Sequence, residues 1–190
     1  MDTWGDESVR VICDPPVYLL AASYCPDGGE LDASALEAMR PKGAHKLHWQ
    51  DMGDKSKLEV METVAGIGAQ HTIVVGCRMA PNKQERARRK CPELLLPHLE
   101  SLGVDRYVLE SRGRAKDKDD VALLLSLRAK GMCRGIDLAH EEGYRDSRLW
   151  VPDQVLGAYG DMRSGVGVGD KFRRAWNLIA PTVNTMEIML

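Results

Sequence analysis

The apolar run from His71 to Cys77 constrains the fold of this chain more than any other segment. It is rich in β-branched residues and too short for a typical helix, so it predicts a buried β-strand. A second apolar run of strand length, Val17–Tyr24, is closed by the turn signal Pro26-Asp27-Gly28-Gly29. An extended candidate precedes it, and the two predict consecutive antiparallel strands at the start of a sheet.

Extended and helical patterns alternate along the rest of the chain. Besides the two apolar runs, strands are predicted at residues 4–12, 46–49, 105–110 and 136–138. Helices are predicted at residues 32–39, 54–67, 82–102, 117–130, 150–162 and 171–179, and Pro92 and Pro97 should break or kink the third. Residues 163–169 suggest a glycine-rich link. This order predicts one α/β domain over residues 1–190, a mixed sheet with helices on both faces.

Composition bears on the cellular compartment of this domain and on whether it needs disulfides or zinc. No stretch approaches the roughly 20 apolar residues that cross a bilayer, and the first residues have neither the basic nor the apolar part of a signal peptide. The five cysteines include no C-x-x-C pair, which argues against a zinc ribbon and a disulfide framework. We therefore expect reduced thiols in a cytoplasmic protein without a membrane partner.

Acidic residues recur where predicted strands end and predicted helices begin. They are Asp6 and Glu7 in the first strand, Glu110 at the end of a later one, Asp117, Asp119 and Asp120 after it, and Asp153 in the first turn of a late helix. Such positions can converge at one edge of an α/β sheet, where clustered carboxylates need a neutralising cation. Mg²⁺ or Mn²⁺ suits these oxygen ligands. Capping and helix-dipole roles also fit most of these acids, but Asp6 is harder to dismiss because Asp is depleted in strands.

Three segments resemble one known family. Asp6-Glu7-Ser8 resembles the Asp-Glu-Ser opening of the family called domain of unknown function 3800, which is itself similar to the ribonuclease H-like fold. Trp150 to Ala158 resembles that family's late helix, with Asp153 at its aspartate and Gly157-Ala158 at its small residues. Tyr107 to Arg112 fits the strand expected to carry a second acid.

The resemblance implies a ribonuclease H-like, metal-dependent nuclease or another phosphodiester-processing enzyme. Asp6, Glu110 and Asp153 are then expected to be catalytic and to hold Mg²⁺ or Mn²⁺. Glu7 is a further candidate ligand, and the second acid stays open between Glu110 and Asp120. The alternative is a non-catalytic domain on the same fold that binds nucleic acid or protein, because a fold does not settle a function. The oligomeric state is left open by the sequence.

Basic residues form two local clusters although the net charge is -2. The residues expected to contact a nucleic-acid backbone are Arg86, Arg89, Arg112, Arg114 and Lys116. A solvated helix face explains such runs equally well. His45 and His48 flank Lys46 and are candidates for phosphate contact or general acid catalysis, or for a surface strand edge, whereas His140 is expected to be structural.

Overall fold

The structure, a computed structural model, describes residues 1–80, 83–165 and 170–190; residues 170–172 are described by their backbone alone. The predicted helix start at Asn82 and the predicted link at residues 166–169 fall outside the described residues. The elements are β1 Asp2–Arg10, β2 Val17–Tyr24, α1 Ser34–Met39, α2 Asp54–Gly66, β3 Gln70–Cys77, α3 Gln84–Ser101, β4 Arg106–Glu110, α4 Arg114–Ala129, β5 Asp137–Glu141, α5 Trp150–Ser164, α6 Asp170–Ile179 and β6 Val183–Met189. None of the described helices combines the length and the hydropathy that a membrane-spanning segment requires.

The strands form a six-stranded sheet in the order β5-β4-β1-β2-β3-β6. β2 runs antiparallel to both of its neighbours, and the remaining pairs are parallel. The predicted α/β class and mixed sheet are therefore confirmed. β1, which carries Asp6, pairs antiparallel with β2 as predicted, and it lies in the interior of the sheet.

Side-chain alternation along the strands divides the interior into two cores. Leu19 and Ala21 of β2 pack with residues of α1, α2, α5 and α6, on what we call the α5 face. Tyr18 and Leu20 pack with residues of α3 and α4, on what we call the α3 face. Because both sides of β2 are covered, all eight of its residues are buried, which explains its continuous apolar sequence.

α5 is the helix that matters most for the candidate site. It begins at Trp150 with Pro152 in its first turn, where the missing N–H leaves no intrahelical hydrogen bond unmade. It is followed by Gly165, whose φ of 62° is the left-handed conformation that commonly ends helices. Its residues from Trp150 to Gly160 are all buried, so α5 lies deep in the α5 face.

Four predicted features differ from the structure. Residues 46–49 were expected to be extended, but Trp49–Asp51 is a short 3-10 helix after an irregular loop. α3 continues through both prolines without a break. α4 begins three residues earlier than predicted, at Arg114. β6 was not predicted, and it adds a parallel edge strand beside β3.

Candidate functional site

The pairing of β1 with β4 places two of the predicted acids on one face of the sheet. Trp4 lies beside Val108 in the parallel register, and both side chains belong to the core of the α5 face. Side chains two residues further along a strand point to the same side. Asp6 and Glu110 therefore share the α5 face, at the carboxyl ends of neighbouring parallel strands.

α5 supplies the third acid from above this edge of the sheet. Asp153 lies in its first turn and is buried. Gly157, one turn later, has the ring of Trp49 where a Cβ would stand, so a side chain at this position would push the loop away. The Gln154 side chain donates a hydrogen bond to the Leu47 carbonyl at 3.1 Å, which ties the same loop to α5.

The three acids line one cleft of about 280 Å³ together with Lys46 and His48, and Glu7, Arg10 and Arg112 also border it. We call the set Asp6, Lys46, His48, Glu110 and Asp153 the acidic cleft. Lys46 and His48 come from the loop that α5 holds in place. The acids come from β1, β4 and α5, which are far apart in sequence and meet only through the fold.

Two of the three acids have a basic partner. Lys46 Nζ donates to both oxygens of Glu110, at 2.8 and 2.9 Å. One oxygen of Asp153, Oδ2, accepts from His48 Nδ1 at 3.0 Å and from the Trp49 backbone N–H at 3.2 Å. Asp6 accepts the backbone N–H of Glu7 at 2.8 Å, and no described Lys, Arg or His nitrogen lies within 4.0 Å of its carboxylate.

Burial raises the pKa of Asp6 well above its usual value, and the charges of Asp153 and Glu110 raise it further. The hydrogen bond to Asp153 raises the pKa of His48. Burial lowers the pKa of Lys46, but its hydrogen bond to Glu110 and the surrounding acids outweigh this, so the net direction is upward. Asp6 is thus the acid of the cleft with no basic nitrogen of a described residue within 4.0 Å.

Glu7, predicted as a further metal ligand, points to the α3 face because it follows Asp6 by one residue. There it accepts hydrogen bonds from Tyr18 and Arg88. Arg112 Nη1 lies 3.3 Å from the same carboxylate. The structure therefore places the Glu7 carboxylate in an ion-paired network on the α3 face, although the residue also borders the cleft.

Asp120, the other candidate for the second acid, also lies on the α3 face. Together with Asp117 and His140 it forms what we call the His140 cluster, in which one ligand atom from each residue lies within 4.8 Å of the others. This cluster could hold a metal ion. Among the residues that the structure describes, it is the one trio of His, Cys, Asp or Glu that meets this distance limit, so the three acids of the acidic cleft share a cavity without meeting the limit together.

The acids of the His140 cluster are already well bonded. Asp117 accepts from the Ser111 hydroxyl at 2.7 Å and from the Arg112 backbone N–H at 3.1 Å. Asp120 accepts from the Arg112 guanidinium at 2.7 Å and lies 3.1 Å from His140 Nε2. A cation would have to compete with these partners. At Asp6, in contrast, Oδ2 accepts no hydrogen bond from any described residue, so a cation could bind it directly.

The predicted nucleic-acid contacts divide into two groups. Arg86, Arg89 and Arg114 are exposed and free to meet a ligand. Arg112 forms ion pairs with Glu7 and Asp120. Lys116 pairs with Glu85 at 3.1 Å. The acidic partners of Arg112 and Lys116 lie outside the basic cluster. They could not be predicted from the run of basic residues in the sequence.

Sequence reasoning missed Lys46 as part of the site and gave His140 a structural role. The signal for Lys46 was its position between two histidines, but only His48 of that pair reaches the cleft, and His45 is exposed. Comparison with family models, curated proteins and solved structures gave no match to this chain. The chemistry of the cleft itself must therefore indicate the function.

Proposed function

We propose that the acidic cleft binds Mg²⁺ or Mn²⁺ and hydrolyses phosphodiester bonds, as a metal-dependent nuclease or a related enzyme on a ribonuclease H-like fold. The resemblance to the domain of unknown function 3800 family belongs to the same proposal. Support comes from a mixed sheet that carries Asp6 on an interior strand. Asp6 and Asp153 are the family-matched acids, and both line the same cleft.

One observation carries the proposal: three carboxylates from three separate elements converge, and Asp6 among them has no basic nitrogen of a described residue within 4.0 Å. Desolvated carboxylates that crowd together are unfavourable unless a cation is present. A structural ion pair would match each acid with a base. The unpaired carboxylate of Asp6 therefore favours a site that binds a cation from solution.

The donor atoms fit a hard divalent cation. Asp6 Oδ2 and Asp153 Oδ1 accept no hydrogen bond from any described residue, so both oxygens can serve as ligands. Glu110 would join them once Lys46 releases it. When bound, such an ion activates a water molecule and stabilises charge on the phosphate.

His48 has a defined place in this chemistry. Its Nδ1 is fixed by Asp153 at 3.0 Å, and its Nε2 makes no hydrogen bond to a described residue. The ring therefore keeps one nitrogen for the substrate, where it can donate a proton to the leaving oxygen. Its raised pKa favours the protonated form that this role needs.

Nucleic acid is the proposed substrate class, and Arg86, Arg89 and Arg114 are the proposed backbone contacts because they are exposed. The net charge of -2 predicts weak binding at physiological salt. The alternative, a non-catalytic binding domain, is favoured by one observation. Lys46 already neutralises Glu110, and a domain without a metal could keep that pair permanently.

Hydrolysis of labelled single- and double-stranded DNA and RNA, with Mg²⁺, Mn²⁺ or a chelator, tests the proposal. We expect cleavage that requires the metal and falls by at least about 100-fold in Asp153→Asn, as for loss of a principal catalytic group. Asp119→Asn, at an exposed acid on α4, is the matched control and should cleave normally. Metal-dependent binding without cleavage of any of the four substrates would favour the non-catalytic alternative.

A further inference from the structure

Lys46 occupies an unusual place for a lysine. Its ammonium group makes two hydrogen bonds to Glu110 and lies close enough to Asp6 and Asp153 to feel the charge of both. The side chain is about one quarter exposed (27%), so water reaches it. One positive charge thus stands among the three carboxylates that would hold a divalent ion.

The backbone next to Lys46 is anchored independently of the lysine side chain. Leu47 is buried, and its carbonyl accepts the hydrogen bond from Gln154. Lys46 itself follows an irregular segment after α1. A lysine side chain is a flexible four-carbon stem, so the ammonium group can leave Glu110 while the loop stays in place.

We propose that Lys46 is an internal cation that stabilises the acidic cleft when no metal is bound and that a divalent ion displaces from Glu110. The inference rests on the proposed function, because it needs the cleft to bind a divalent ion. It follows from charge: Lys46 and the ion seek the same carboxylates, and two cations at short range repel each other. Glu110 becomes a ligand only through this exchange.

A purely structural ion pair predicts something different. In that case removing the lysine would lower stability and leave metal affinity unchanged. Under the exchange, removing the lysine removes a competitor, so the metal binds more tightly. The two accounts thus predict different metal affinities for the same variant, and a binding measurement separates them without any assay of enzymatic activity.

The experiment is a calorimetric titration of the full chain with Mn²⁺ alone. We expect Lys46→Met to tighten the Mn²⁺ dissociation constant by about tenfold, a modest fraction of the repulsion between close charges at a protein surface. Lys42→Met, at an exposed lysine of the same loop, is the matched control and should bind as the wild type does. Lys46→Arg keeps the competing charge and should gain no affinity.

Lys46→Gln removes the charge but keeps a hydrogen-bond donor for Glu110, and it serves as the second variant if Lys46→Met fails to fold. Unchanged Mn²⁺ affinity in the folded uncharged variants, with normal binding by the wild type, would overturn the exchange and leave the proposed function standing. Absence of Mn²⁺ binding in the wild type and in all variants would overturn both. Binding that appears only in the uncharged variants would support the exchange in its strongest form.

Discussion

The acidic cleft and the His140 cluster both gather carboxylates beside the end of β4, but on opposite faces of the sheet. Leu109 pairs with His140 in the register and packs on the α3 face, whereas Glu110 projects to the α5 face. The His140 cluster brings its ligand atoms closer together. In the acidic cleft, by contrast, no basic nitrogen from the described part of the chain lies within 4.0 Å of the Asp6 carboxylate.

The difference shows that short distances alone do not identify a metal site. Arg112 links Glu7 and Asp120, so the closest group of ligands is also the one whose charge is already neutralised from within. In the acidic cleft, the acids stand further apart, and among the described residues no basic nitrogen lies within 4.0 Å of Asp6. Because charge that is not neutralised attracts a cation, we propose the acidic cleft rather than the His140 cluster as the metal site.

The largest expected effect separates the two regions by stability. Arg112→Met should lower the free energy of unfolding by about 3 kcal/mol, because it leaves the carboxylates of Glu7 and Asp120 partly buried without their shared partner. Urea denaturation in metal-free buffer measures this. Arg114→Met, at the exposed neighbour, is the matched control and should stay within about 0.5 kcal/mol of the wild type. Equal stabilities for the two variants would mean that Arg112 does not neutralise the His140 cluster.

A smaller effect of opposite sign is expected at Asp6. Its pKa is raised on folding, so the native state binds the proton more tightly, and stability is lost as pH rises from the usual value of 3.8 through the folded value. Asp6→Asn removes that loss. We expect a gain on the order of 1 kcal/mol at neutral pH that disappears below the usual pKa, in the presence of a chelator.

Asp117→Asn is the comparison for this pH series. It weakens the hydrogen bonds from Ser111 and from the Arg112 N–H, so it should cost about 1 kcal/mol. Burial lowers the pKa of His71 to about 4, so the wild type itself loses stability as pH falls below 6.5. Both variants share this His71-dependent loss of stability. It therefore cancels when the free energy of unfolding of each variant is compared with that of the wild type at the same pH. A destabilised Asp6→Asn at neutral pH would contradict a charge shortage in the cleft.

The smallest effect is expected at His140. His140→Gln keeps a donor near Asp120 and should change stability by less than about 1 kcal/mol. Its affinity for Mn²⁺ should stay within about twofold of the wild type, because the proposed site does not include it. Differential scanning fluorimetry with and without Mn²⁺ measures both. A metal-induced rise in melting temperature that is lost in this variant would move the metal to the His140 cluster.

The sheet was largely predictable because its central strands carry their own pattern. Val17–Tyr24 coincides with β2 in every residue, since a strand covered on both faces is apolar throughout. β6 was not found, because Val183–Met189 is a half-exposed edge strand that exists by pairing with β3. Its strand character depends on a tertiary contact rather than on its own composition.

The acids of the site were predictable for a similar reason. Asp6 breaks the strand propensity of its segment, and strand ends and helix starts are visible in the sequence. The place of Lys46 in the cleft was not predictable, because it depends on an ion pair with Glu110, which lies 64 residues away in the sequence. The loop 46–49 was predicted to be extended, but the fit of Trp49 against Gly157 shapes it instead.

Calorimetric titration of Mn²⁺ into the wild type and into Asp6→Asn, Asp153→Asn and Asp117→Asn tests the central claim most directly. The account predicts binding by the wild type, affinity at least about tenfold weaker in the first two variants, and an unchanged affinity in Asp117→Asn. All three variants replace a carboxylate by an isosteric amide, so they differ only in which region loses charge. Full affinity in Asp6→Asn and Asp153→Asn, with loss of binding in Asp117→Asn, would contradict it.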